Sequence, residues 1–501
     1  MFKTLSFHLA GVIIIVALSS AALRGEERSA SKQFRAGAFA IDISPLELPV
    51  IVNGNMTENK ADKITDRLHA RCLVLDDGTN QIAIVVVDSC MVPRHLLDEA
   101  KELASQATGI PASRMLISAT HTHTAPSVHG CLGSDPDPNY VKFLPPQIAK
   151  GIAQAQKNLV PARIGWAMGR DEKNVACRHW IMKPGVAPTN RFGGTKNDKV
   201  MMHPGHNNPN AIRATGEPDP DVPVVSIQTK DGKPLAILSA YSLHYVGGVQ
   251  PVSADYFAVV CDKIAEKVAG TLRVPSPPNG TRSVPATNFM AAHANATSGD
   301  TWLMDYTQKE RRKFDIEGVA EDVSNAALEA HKAIKYYDWA PIVMEERLLT
   351  LGVRMPSAEE IAAAREFVKT FEGRKPKNVE EVYARETIVM SEMPPTRELK
   401  LQAIRIGDLG IAAIPNEVYG STGLAVKRDS PLKMTFTIEL ANGCEGYLLP
   451  PDLLKLGGYT AWRARTACLE PEAEPKIRKV IDELLDDVAK KRSKEAAVAA
   501  K

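Results

Sequence analysis

The sequence predicts an α/β protein, mixed β-sheets packed with helices. Short β-branched apolar runs alternate along the whole chain with longer stretches of helical period. Turns rich in Gly, Pro, Asn and Asp separate them, and no internal repeat is visible. The 501 residues are 44% hydrophobic and 24% charged, an ordinary globular composition that suffices for one large domain or two smaller ones.

The elements follow in chain order. Lys3 precedes the apolar run "LAGVIIIVALSSAAL", Leu9 to Leu23, with small Ser20 and Ala22 before a cut after Ala22. Residues 1–22 therefore read as a signal peptide, and the mature protein is expected to be secreted or periplasmic. The run is short for a membrane span, and Ser19 and Ser20 interrupt its end. Strands are expected at "LHARCLVLDD", "QIAIVVVDS", "RMLISATH", "PVVSIQTK", "PLAILSAYSLH" and the pair "ELKLQAIRIGD" with "LGIAAIPNE", where Gly407 and Asp408 supply turn chemistry. Helical spacing covers His95 to Ala107, Tyr140 to Asn158, Ala254 to Ala269, Tyr306 to Lys335, Ala358 to Phe371 and Pro475 to Lys490. The segment from Met182 to Asp221, rich in Pro, Gly and Asn, reads as a long surface loop of the kind that forms lids. Residues 491–501 read as a disordered basic tail.

Charge and cysteines narrow the function. A formal net charge of +2 gives no basic excess to offset phosphate, so nucleic acid is not an expected partner. The seven cysteines include no CxxC pair, which argues against a zinc ribbon or a thioredoxin-type site. Cys72, Cys90 and Cys261 lie in apolar surroundings and read as core residues.

"LISATHTHTAPSVHGCLG", Leu116 to Gly133, ends an apolar run in two histidines one residue apart. On a strand such residues share a side, so His121 and His123 would reach into one pocket. Imidazole is the commonest metal ligand, yet two ligands do not make a site. Three further apolar runs end in a potential ligand where a strand meets a loop: His244, Glu417 and Tyr447. Two imidazoles, a carboxylate and a phenolate suit zinc, although ligand sets assembled over long range have no diagnostic spacing.

These blocks, "ATHTHTAP", "NVACRHW", "LHYVGG", "SGD", "IPNE" and "GYLLPPDLLKLGGY", occur in an order that resembles the neutral/alkaline, non-lysosomal ceramidase family, from about Ala36 to about Glu483. The resemblance implies a catalytic domain over residues 33–490 and a zinc-dependent amidase acting on the N-acyl bond of ceramide-like lipids, with possible peripheral membrane contact. It implies His121, His244, Glu417 and Tyr447 as zinc ligands and His123 as a proton-transfer residue beside the metal. It implies Arg178 and Tyr459 as donors to the oxyanion that develops on the acyl carbonyl.

Two departures stand out. Where the family carries a serine in a block like "QSNxGD", this chain reads "HANATSGD" with Ala296 at the serine's position, leaving Thr297 or Ser298 as substitutes. The β-sandwich that follows the catalytic domain in longer relatives is also not expected here. These departures favour a soluble or dispersed N-acyl substrate over ceramide in bilayers. An amidohydrolase-type metal barrel acting on a small soluble amide and a catalytically decayed binding protein remain as alternatives.

Overall fold

Alternation along the strands divides the molecule into layers. In the strand His69–Asp76, Ala70, Cys72 and Val74 face one core while Leu73 and Leu75 face another, and all are buried. A strand buried on both faces needs a layer on each side. The protein is described by a computed structural model covering Met1 and residues 32–195, 197–270 and 289–499. The expected signal peptide falls almost wholly outside these residues.

An eight-stranded mixed sheet carries the fold. Its order is Met290–Asn295, Pro234–Tyr241, Asp221–Thr229, Val160–Arg170, Arg35–Asp42, His69–Asp76, Gln81–Val87 and Met115–Ala119. The outermost pair at each edge is parallel and every other pairing is antiparallel. The outer face is covered by the helices Arg94–Thr108, Pro138–Lys157, Asp255–Ala269 and Ile316–Lys332. The inner face packs on a second sheet of Ile342–Gly352, Thr396–Ile406, Leu409–Ala413 and Met434–Ile438. The far side of that sheet takes the helix Ala473–Ala499, whose Ile477, Ile481, Leu484, Leu485 and Val488 form one apolar stripe. The layers run helix, sheet, sheet, helix, so the expected α/β class with mixed sheets is the class observed.

The segment Glu439–Asn442, just after Met434–Ile438, ties both edges of the large sheet together. The Glu439 N–H donates to Asn295 O at 3.2 Å on one edge strand. On the other, the Ala119 N–H donates to Leu440 O at 3.2 Å and the Asn442 N–H to Ile117 O at 2.8 Å. Leu440 and Asn442 take positive φ, 48° and 65°, which lets the short segment turn between the edges.

Several expectations are corrected. Met182 to Asp221 is not a structureless loop: Val200–Met202 and Ala211–Ala214 pair with His179–Met182 in a three-stranded sheet. The helix expected from Tyr306 begins only at Ile316. The Asp305 carboxylate accepts from Thr307 and Gln308, holding the chain in a turn, and Asp315 caps the helix through the Gly318 N–H. The last helix continues to Ala499, so the expected disordered tail is helical over most of its length. The mixed, largely antiparallel sheet rules out the barrel alternative, which requires eight parallel strands.

The strand Val160–Arg170 escaped the sequence reading because Pro161, Gly165 and Gly169 break its pattern. Gly169 serves packing: a Cβ there would lie 2.5 Å from Ala326 O of the covering helix. Residues Gln33–Lys501 form one compact unit. Among the described residues no helix is long and apolar enough to cross a membrane, and all seven cysteines are buried and unpaired.

Candidate metal centre

His121 lies beyond its strand, which ends at Ala119, so alternation along the strand does not align the two histidines. His121 instead takes φ 74°, a conformation rare for a residue with a Cβ, and this turns its ring inward. Its backbone stays tied to the neighbouring strand's end, the His121 N–H donating to Ser89 O at 2.8 Å. Thr122 and Thr124 both donate to Ser253 O, at 2.8 and 2.9 Å, pinning the turn. His123 then faces His121, Nε2 to Nε2 at 3.2 Å, and stacks on Tyr245 with ring centroids 3.9 Å apart. A Cβ on Gly54 would sit 2.6 Å from His123, so only glycine lets that loop pass.

His244 follows the strand Pro234–Tyr241 by three residues, and its Nε2 meets the Nε2 of His121 at 3.0 Å. Glu417 and Tyr447 are direct partners in a two-residue parallel pairing, Glu417–Val418 with Tyr447–Leu448. The Glu417 Oε2 lies 3.3 Å from His121 Nε2 and 3.9 Å from His244 Nε2. Tyr447 is buried beside Glu417, its register partner. Burial first, and then the Glu417 charge, push its phenol well above the ordinary range.

The donor set fits a metal ion. The Nδ1 of His121 faces Cys90 O at 2.8 Å, and that of His244 faces Ser298 O at 3.2 Å. A ring that donates from Nδ1 to a carbonyl presents a bare lone pair at Nε2, and this tautomer is assigned from those partners. Burial, followed by the fields of Arg178 and His121, drives His244 well below its ordinary pKa, so its ring is neutral. Two lone pairs thus meet at 3.0 Å with no hydrogen between them, beside a Glu417 Oε2 that has no hydrogen-bond partner. A cation satisfies all three at once, and the candidate ligand atoms of His121, His244 and Glu417 lie within 4.8 Å of one another.

Arg178 is buried against this cluster. Its Nη2 donates to Gly299 O at 3.1 Å and lies 3.2 and 3.3 Å from the two ring nitrogens of His244, so it sits across the ring rather than in line with one lone pair. Burial opposes its charge, but Tyr447, Glu417, Tyr245 and Tyr459 outweigh it and hold the pKa above the ordinary value. Tyr459 packs edge-on against Tyr447, centroids 5.9 Å apart, and its phenol is pushed up by burial and by Glu417. The structure thus gathers all seven predicted site residues around one point.

His123 opens this point to a cavity of about 280 Å³, whose wall includes Val52, Asn55, Asn59, Tyr245 and Gln250. Part of the His123 ring is solvent-accessible there, yet protein encloses the rest. Burial, then His121 and Arg178, lower its pKa well below the ordinary value. A larger groove of about 690 Å³ beside Ser226 and His331 contains none of these residues. Chemistry rather than volume selects the smaller cavity.

Some of the site was not read from the sequence. Tyr245, the stacking partner of His123, directly follows His244 and was the accessible signal. Cys90, whose carbonyl orients His121, and Glu439, which lies behind His244, carried no signal because their partners are distant in sequence. Neither Thr297 nor Ser298 turns a hydroxyl to the cavity. Thr297 is held by Ser242 and packs on Gly423, and Ser298 is held between His244 and Glu439.

No family model matches the sequence. Two solved structures share the fold. One is a neutral ceramidase from Pseudomonas aeruginosa, with TM-score 0.65 at 14% identity over 92% of this chain and 75% of that chain. The other is a ceramidase complexed with C2, with TM-score 0.64 at 14% identity over 92% of this chain and 76% of that chain. The likeness is one of fold, and function has to be argued from the site.

Proposed function

We propose that the protein is a zinc-dependent amidase that hydrolyses an N-acyl amide bond, acting outside the cytoplasm. The observation that carries this reading is the convergence of two Nε2 lone pairs and the unpartnered Glu417 oxygen on one buried point. His121, His244 and Glu417, with Tyr447 as the fourth, would hold the ion. Neutral imidazoles and a carboxylate are the donor set zinc prefers. When bound, zinc supplies a Lewis acid that makes water a nucleophile at neutral pH and polarises a carbonyl.

The chain's own groups supply the remaining chemistry. Arg178 is a buried, fully charged donor beside the point, and Tyr459 adds a protonated hydroxyl, so together they would stabilise negative charge developing on the acyl oxygen. His123, neutral and open to the cavity, would take a proton from the attacking water and return it to the leaving nitrogen. Burial behind the cavity excludes bulk water and strengthens each of these interactions.

The cavity suggests the substrate class. Its volume of about 280 Å³ lies just below the roughly 300–1,000 Å³ usual for ligand sites. Asn55, Asn59 and Gln250 give it hydrogen-bonding walls. These features favour enclosure of one polar group beside the amide, with an acyl chain directed outward, over burial of two lipid chains. A soluble or dispersed N-acyl compound fits better than ceramide within a bilayer, where only peripheral membrane contact would be available.

The test is metal analysis of the purified protein together with kcat/KM on N-acyl amino acids and N-acyl sphingoid bases, dispersed and in vesicles. One zinc per chain and a preference for a dispersed amide expressed in kcat/KM are expected. Equal kcat/KM for vesicle ceramide and every dispersed amide would overturn the substrate class. Zinc-loaded protein that cleaves none of them would make the chain a binding protein.

A further inference from the structure

Behind His244 lies a buried carboxylate to which none of the roles above has been given. Glu439 directly follows the strand Met434–Ile438 and is 0% exposed. Among the described residues no lysine or arginine forms an ion pair with it, and a buried carboxylate without a cation is costly to keep. Burial raises its pKa well above the ordinary carboxyl value, and three hydrogen bonds hold the group in place. Its Oε2 accepts the backbone N–H of Val418 at 2.7 Å and that of Ser298 at 3.1 Å, and its Oε1 accepts the Ser298 hydroxyl.

Ser298 links this carboxylate to the metal centre. Its carbonyl lies 3.2 Å and its hydroxyl oxygen 3.4 Å from Nδ1 of His244, and Asn295 Nδ2 donates to the same hydroxyl oxygen at 3.1 Å. The contacts of Ser298 with Glu439 and Asn295 hold the residue in place, and with it the carbonyl that faces Nδ1 of His244. With Arg178 lying across the ring, the carbonyl is the acceptor set for a proton on Nδ1, and a proton there leaves Nε2 bare towards His121 and Glu417. The Val418 N–H meanwhile fixes the peptide next to Glu417. One carboxylate therefore organises two elements that meet nowhere in sequence.

We propose that Glu439 is a positioning residue for the metal centre, acting through Ser298 to fix the tautomer and orientation of His244 and through Val418 to fix the backbone beside Glu417. The inference rests on the metal-centre reading above. Two measurements on the full chain test it, each with Glu439→Gln and Ser298→Ala beside the wild type. The first is the ring tautomer of His244 in metal-free protein labelled with 15N-histidine. Wild type should carry the proton on Nδ1, and both variants should shift towards a mixture.

The second is zinc retention against a competing chelator, read together with the thermal midpoint of the metal-free protein. Each variant should hold zinc about 10- to 100-fold more weakly, as for other residues that orient a ligand. An unchanged His244 tautomer with zinc retention within twofold of wild type, whatever the midpoint, would make Glu439 a merely structural residue. Should Glu439→Gln fail to fold, Ser298→Ala decides, because it removes the hydroxyl contacts with Glu439 and His244 and leaves the backbone contacts of Ser298 and Val418 in place. Wild type that retains no zinc would overturn the metal-centre reading, while the tautomer comparison would still decide the part of Glu439.

Discussion

Replacing Glu417 by Gln is expected to stabilise the metal-free protein while removing its response to metal. Without metal, the Glu417 Oε2 is buried, lacks a hydrogen-bond partner and faces the His121 Nε2 lone pair at 3.3 Å. An amide nitrogen in its place donates to that lone pair. A buried polar group left unsatisfied costs about 1–3 kcal/mol. Unfolding entropy of about 2.1 cal/mol/K per residue, taken over a unit of roughly 470 residues, sets a scale of about 1 kcal/mol per degree. Metal-free Glu417→Gln should therefore melt about 1–3 °C above metal-free wild type.

Zinc at about a thousand times its dissociation constant adds about 4 kcal/mol to wild type, or about 4 °C, and should add almost nothing to the variant, which has lost its anionic ligand. Scanning calorimetry of both proteins, stripped and zinc-loaded, reads all four midpoints. A metal-free variant that melts below wild type, or an undiminished zinc shift in the variant, would refute the reasoning.

Three further outcomes are expected. The double substitution His121→Ala with His244→Ala should leave no tightly held zinc by elemental analysis, and full occupancy would remove the site assignment. His123→Ala should retain zinc yet lose turnover by on the order of a hundredfold, measured as kcat on the best N-acyl substrate, whereas loss of metal with activity would make His123 a ligand. Stability should fall as pH drops below about 6.5. Burial, aided by Arg178 and Arg71 respectively, pushes fully buried His179 and His293 down to about 3. The unfolded chain then binds more protons between those values, and each histidine removes up to about 1.4 kcal/mol per pH unit. Asp300, pushed up to about 6 by burial, acts with the opposite sign between about 4 and 6 and offsets part of the loss. Urea unfolding at pH 7, 6 and 5 reads the balance, and a free energy that rises on acidification would contradict it.

The sequence by itself determined the elements whose signal is local. The strand runs ending near His121, His244 and Glu417 and the amphipathic helices at Arg94–Thr108, Pro138–Lys157 and Asp255–Ala269 were legible, because period and turn chemistry act between near neighbours. Local signal also failed in identifiable places. Gly165 and Gly169 hid a strand whose glycines exist for the helix packed on it, and the Asp305 turn delayed a helix whose spacing begins earlier.

Only the tertiary structure decided how the ligands converge. His121 and His244 leave strands near opposite edges of the eight-stranded sheet, and Glu439–Asn442 joins those edges through hydrogen bonds to Asn295 on one side and to Ile117 and Ala119 on the other. The inward turn of His121 depends on a positive φ that no propensity favours and that the surrounding contacts impose. Such contacts join residues hundreds of positions apart, and their closure entropy is offset only when the whole core packs, so no stretch of sequence read alone carries their geometry.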